Sequence, residues 1–189
     1  MRLFVALSIG AGVRDRLASF LDELRRADPK TRWAAPQNLH VTLKFIGAVA
    51  DQRLPDIVLA LSRVSAPSPV ALEFGGIGFF PDDRRPAVVW AGIQAPPELA
   101  LLAARVEEAL LACAVPRDTR RFAPHLTLAR LKEPRLPETL RTLLAHSRSR
   151  GFGVQSFAEF QLMESKTKPA GAEYTTLNSF PFAAREKQP

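Results

Sequence analysis

The sequence predicts an α+β protein built as two pseudo-symmetric α/β lobes flanking a central cleft. One reason is the order of elements, strand-helix-strand-helix-strand, which can be read twice along the chain at nearly constant offset. A second is a pair of matching strings, Leu39-His40-Val41-Thr42-Leu43-Lys44-Phe45 and His125-Leu126-Thr127-Leu128-Ala129-Arg130-Leu131. A third is composition: 189 residues with 47% hydrophobic content are enough to bury a core without disulfides, and the single Cys113 allows no intramolecular disulfide.

The apolar run Leu3 to Ile9 reads as a buried first strand. It resembles a signal peptide only superficially, because Arg14, Asp15 and Arg16 follow at once. Apolar residues at 13, 17, 20, 21 and 24 predict an amphipathic helix that ends at Asp28-Pro29. The His40 strand comes next, then a helix with Leu54, Ile57, Val58 and Leu61 turned inward. Ser65-Ala66-Pro67-Ser68-Pro69 breaks the chain before a strand near Val70 to Phe80. Pro81-Asp82-Asp83-Arg84-Arg85-Pro86 is a turn-rich connector. Beyond it lie a strand near Ala87 to Ile93, a helix near Pro97 to Ala114, the His125 strand, a helix near Pro137 to Ser147 and a strand near Val154 to Glu164.

The predicted organisation is one domain, 1–189, with repeats at about 1–80 and 87–165 and a final strand at 174–182. Similar element order is common in α/β proteins, but its coincidence with the paired motifs argues against accident. Cys113, among Leu99, Leu102, Ala103, Val106 and Leu110, reads as packing. Gly75-Gly76-Ile77-Gly78 has no Lys-Ser/Thr after it, so it reads as a strand bulge and not a phosphate loop. The tail Arg185 to Pro189 reads as frayed.

Strand alternation puts His40 and Thr42 on one face and Val41 and Leu43 on the other, and the same holds for His125 and Thr127. A lone strand histidine is more often structural, and threonine is at home in any strand; the matched pair is what points to chemistry. Imidazole titrates near neutral pH, so two facing copies supply an acid and a base. In-line displacement at phosphorus needs a base on the entry side and an acid on the exit side. Threonine hydroxyls beside them can donate to the non-bridging oxygens. His146 falls on a helix and no cysteine or acidic cluster accompanies the pair, so a metal site is not expected, and neither is a serine triad or a P-loop.

The net charge of +7 and a pI near 10.3, with arginine dominating, suit an anionic partner, although composition bias alone also produces such a surface. No stretch approaches the length of a membrane span.

At these residues the chain resembles the 2H phosphoesterase superfamily, defined by paired His-x-Thr-x motifs. It is most similar to the RNA 2′,3′-cyclic phosphodiesterases, also called 2′-5′ RNA ligases. The likeness runs through Met1 to Leu7, Asn38 to Gly47, Phe122 to Arg130 and Tyr174 to Leu177. It implies a LigT-like fold and hydrolysis of RNA 2′,3′-cyclic phosphate ends to 2′-phosphomonoesters, with no cofactor and no metal. By position, His40 would be the proton donor and His125 the proton acceptor, with Thr42 and Thr127 on the phosphate; the residues alone do not order the two histidines.

Arg130 matches a substrate-contact position of the family. Strict alternation turns it away from His125, so it is either brought back by a bulge or is a surface charge. Lys44 shares the His40 face on alternation and reads either as a substrate contact or as a solvated strand end. Phe45, Phe122 and Trp33 could stack on a base, with core packing the default for each. The alternatives are 2′-5′ ligation, cleavage of 2′-5′ oligonucleotides, and a non-catalytic RNA- or nucleotide-binding module. The expected state is a cytoplasmic monomer acting on RNA ends or nucleotides that bear a 2′,3′-cyclic phosphate, away from membranes.

Overall fold

The structure, a computed structural model, describes residues 1–65, 69–133, 135–169 and 171–182. The centre of the predicted break at 65–69, Pro134 in the loop after the second motif, and the tail at 185–189 lie outside the described residues.

Among the described residues, eight strands form two four-stranded antiparallel sheets. The first has the order β2 (His40–Ala48), β1 (Arg2–Ser8), β7 (Glu159–Lys168), β8 (Gly171–Pro181). The second has the order β5 (His125–Arg130), β4 (Val88–Gln94), β3 (Val70–Phe80), β6 (Gly151–Phe157). Four helices connect them: α1 (Ala11–Ala27), α2 (Leu54–Ser62), α3 (Pro97–Leu111) and α4 (Glu138–His146). No helix among the described residues is long and apolar enough to cross a membrane.

The two sheets do not correspond to the repeats read at 1–80 and 87–165. The third strand of the first unit, β3, pairs with β4 in the second sheet, while β7 from the second half returns to pair with β1. The predicted strand near Val154 to Glu164 is in fact two strands, β6 and β7, one in each sheet. Pro81 to Pro86 is therefore a hairpin loop inside the second sheet and not a connector between lobes. Asp82 Oδ1 accepts the backbone N–H groups of Arg84 (2.9 Å) and Arg85 (3.0 Å), which turns the chain there.

Helices cross over in the same way. α1, which follows β1, packs against β6 of the second sheet, and α3, which follows β4, packs against β2 of the first. This exchange draws Leu7, Val41, Leu72, Phe74, Leu126 and Phe152 from both sheets, and Phe20 and Leu21 from α1, into one continuous core. A second, small cluster of Phe4, Ala6 and Met163 sits on the other face of the first sheet. β1 is consequently buried on both faces from Leu3 to Leu7, which explains its unbroken apolar run.

β2 and β5 are each an edge strand of their sheet and pack against each other. The segment leading into β2 is hydrogen-bonded to β5: Ala34 N–H donates to Leu128 O at 2.7 Å, and Trp33 bridges Ala129. The two histidine-bearing strands thus meet along the line where the sheets join.

Candidate active site

Each motif enters its strand with a histidine whose Nδ1 meets the carbonyl two residues before it. His40 Nδ1 lies 2.7 Å from Asn38 O, and His125 Nδ1 lies 2.8 Å from Ala123 O. A carbonyl only accepts, so in both rings Nδ1 carries the proton and donates it. Nε2 is left as the uncommitted ring nitrogen in both.

The rings are held by aromatic neighbours. His40 packs on Phe4 (centroids 4.8 Å apart) and stands edge-on to Tyr174 at 5.1 Å. His125 stands edge-on to Phe80 at 4.9 Å and lies 6.5 Å from Trp90. Burial among these groups lowers the pKa of His40 below the ordinary imidazole value. The Asn38 carbonyl opposes that shift, while the charges of His125 and Arg130 add to it.

A cleft of about 1380 Å³ opens between the sheets, and His40, Thr42, Phe45, Thr127, Arg130 and Tyr174 are among the residues that line it. His125 does not line the cleft itself. It precedes Thr127 on the same face of β5, close enough for its charge to reach His40. Arg2, Arg25, Arg32 and Lys168 also line the cleft and make it basic, against a single acidic residue, Glu173.

Two matched bulges decide which further residues face this cleft. In the pairing of β1 with β2, Ala6 opposes Thr42 and Val5 opposes Lys44, so Leu43 is an extra residue. In the pairing of β4 with β5, Trp90 opposes Thr127 and Val89 opposes Ala129, so Leu128 is the extra residue. Each insertion reverses the faces beyond it. Leu128 and Ala129 are both buried, and Arg130 returns to the cleft beside Thr127. Phe45 occupies the corresponding place in the first motif; it is 57% exposed and its ring lies 6.2 Å from Phe4.

The same bulge corrects the placement of Lys44. Alternation puts it with His40, but the inserted Leu43 turns it inward, where it is 2% exposed. Its Nζ donates to Glu107 Oε1 at 2.6 Å and to Pro116 O at 2.9 Å and pairs with Asp118 Oδ2 at 3.1 Å. Trp33 lines the cleft with its Nε1 donating to Asp28 O at 3.0 Å, whereas Phe122 packs against the main core.

Sequence reading missed Phe4, Tyr174, Arg2 and Arg32 as parts of the cleft wall. Phe4 is hidden in an apolar run, and the arginines are indistinguishable locally from other surface charges. Tyr174 is the only tyrosine in the chain, which was a usable signal. The Gly75–Gly78 run is a bulged stretch of β3, with Gly76 at φ +77°. Among the described residues no group of three or more His, Cys, Asp or Glu is placed to hold a metal ion.

Comparison with known proteins finds a match to the model of the 2'-5' RNA ligase superfamily over residues 13–166. The RNA 2',3'-cyclic phosphodiesterase of Archaeoglobus fulgidus is 36% identical over 180 residues, covering 95% of this chain and 99% of that protein. The protein of the same name from Thermus thermophilus is 35% identical over 193 residues, covering 95% of this chain and 89% of that protein. Among solved structures, E. coli LigT complexed with 3'-AMP superposes with a TM-score of 0.76 at 25% identity, covering 97% of this chain and 98% of that one.

Proposed function

The chain belongs to the 2'-5' RNA ligase superfamily, and from that membership we propose that it opens 2′,3′-cyclic phosphate ends of RNA to 2′-phosphomonoesters by acid-base catalysis. The observation that carries this reading is the pair of imidazoles, both with Nδ1 committed to a backbone carbonyl and Nε2 left to exchange a proton, on edge strands that meet at a basic cleft.

In this reading the cyclic phosphate sits between the strands. The hydroxyls of Thr42 and Thr127 donate to its non-bridging oxygens, and the Arg130 guanidinium offsets the charge that grows there in the transition state. Water attacks phosphorus in line with the bond to the 3′ oxygen. As the new P–O bond forms, His125 Nε2 accepts the water proton; as the P–O3′ bond breaks, His40 Nε2–H donates to the departing oxygen. Assignment of the donor to His40 follows the family pattern. His40 is reluctant to hold a proton in the free protein, and the anionic phosphate arriving beside it favours the imidazolium that donation requires. Phe45 and Trp33 offer ring faces to the terminal base.

The test is to incubate an oligoribonucleotide ending in a 2′,3′-cyclic phosphate with the protein in EDTA and to identify the product isomer. A 2′-phosphate is the expected product. A joined 2′-5′ product would mark a ligase instead, and an unchanged substrate bound by the protein would mark a binding module. His40→Ala and His125→Ala are each expected to lower kcat on the order of 10²–10⁴-fold with the fold intact by circular dichroism. Parental turnover in either variant would end the acid-base scheme.

A further inference from the structure

The two bulged strands make reciprocal contacts. The bulge of β5 receives the approach to His40, because Leu128 O accepts from Ala34 N–H and Ala129 bridges Trp33. The bulge of β2 receives the approach to His125 through a side chain. Lys44 reaches out of the first sheet to Glu107 on α3 and to Pro116 and Asp118, in the segment that runs from α3 into β5.

The node is compact. The ammonium donates to Glu107 Oε1 and Pro116 O and makes an ion pair with Asp118 Oδ2. Glu107 Oε1 also accepts the backbone N–H of Asp118 at 2.6 Å, so one carboxylate ties both Lys44 and the approach segment. Those two hydrogen bonds hold the Glu107 pKa below its ordinary value. A second tie runs parallel to the first: Arg53 Nη2 donates to Cys113 O at 2.8 Å. The counterpart of Lys44 in the second motif is Ala129, which carries no such group, so the ion node exists on one side only.

We propose that Lys44 is a positioning residue for catalysis: by anchoring the 116–118 segment through Glu107 and Asp118, it sets where His125 stands relative to His40. Lys44 touches neither the cleft nor the reacting atoms. Its effect is geometric, and misplacing one of two groups that must grip the same phosphorus slows the chemical step more than it weakens binding.

This inference rests on the proposed cyclic phosphodiester chemistry, and the two fail differently. An error in the reaction shows as an inactive parent, whereas an error in the clamp shows only in the variants. With a dinucleotide ending in a 2′,3′-cyclic phosphate, Lys44→Met is expected to lower kcat on the order of 10- to 100-fold with little change in KM. Lys44→Met/Glu107→Met, which replaces the ion pair with an apolar pair, is expected to regain the lost thermal stability while remaining slow. Recovery of kcat together with Tm would mean that Lys44 only stabilises the fold and would overturn the proposal, as would parental kcat in Lys44→Met. If Lys44→Met does not fold, Asp118→Asn loosens the same node at its half-exposed rim. A several-fold loss of kcat at unchanged Tm supports the clamp, and no loss rejects it. A crystal structure of the folded variant gives a readout that needs no turnover: the separation of the two imidazoles is expected to change, and an unchanged separation rejects the clamp.

Discussion

At His40 several influences meet on one ring. Burial between Phe4 and Tyr174 disfavours the imidazolium, the carbonyl of Asn38 favours it, and the charges of His125 and Arg130 disfavour it again. The net direction is downward, so the free protein releases this proton below about pH 6.5, the ordinary imidazole value. In the proposed role of proton donor, His40 would be active while protonated. The limb of kcat/KM that it controls should therefore fall as pH rises, with its midpoint below about pH 6.5. In kcat the bound phosphate restores the proton, and the same limb should move to higher pH. Parallel profiles of kcat/KM and kcat on a cyclic-phosphate dinucleotide check this. A falling limb in kcat/KM centred well above neutrality would contradict the environment described for His40.

Within the second sheet, β3 and β4 build the seat of the other histidine. Trp90 lies across Gly78, and a Cβ placed on that glycine would come within 2.1 Å of the indole ring. The indole in turn packs against Phe80 at 5.2 Å and near His125. Among the described residues its buried Nε1 has no hydrogen-bond partner, and the contacts that hold the ring are those of packing. Gly78→Ala should push Trp90 aside and, through Phe80 and Trp90, unseat His125. The expected cost is about 1–3 kcal/mol of stability from overpacking, seen in urea denaturation, together with a drop in kcat. A variant with parental stability and turnover would show that the aromatic seat does not constrain the histidine.

Taken whole, the molecule is a basic protein whose cleft gathers Arg2, Arg25, Arg32, Arg130 and Lys168 between two sheets. Arg25 is already engaged, with Nη2 donating to Ala34 O and Nη1 to Asp22, both at 2.7 Å; Arg2, Arg32 and Arg130 enter no ion pair among the described residues. Cations without a protein partner are available to phosphates along a strand longer than one nucleotide. Salt should then weaken binding of a polymer more than that of a mononucleotide, because each neutralised phosphate releases counterions. Raising salt from about 50 to 200 mM should increase KM for an oligoribonucleotide far more steeply than KM for a nucleoside 2′,3′-cyclic phosphate. Equal salt slopes for the two substrates would remove the cleft arginines from strand binding.

The local pattern of residues carried the element types and the reactive faces. Apolar periodicity marked the helices and strands, and two histidines paired with two threonines at the same spacing marked the candidate site, because alternation within a strand is a property of the strand alone. Strand partners were not legible in this way. β3 and β7 join the opposite sheets from those their sequence units suggest, since pairing is decided by hydrogen bonds between distant segments and by which arrangement closes one core. The bulges show the same division at finer grain. One inserted residue, Leu43 or Leu128, reverses the side chains that come next, and an insertion exists only relative to the neighbouring strand. Tertiary pairing therefore decided that Arg130 and Phe45 face the cleft while Lys44, read as sharing the His40 face, is buried in an ion node behind it.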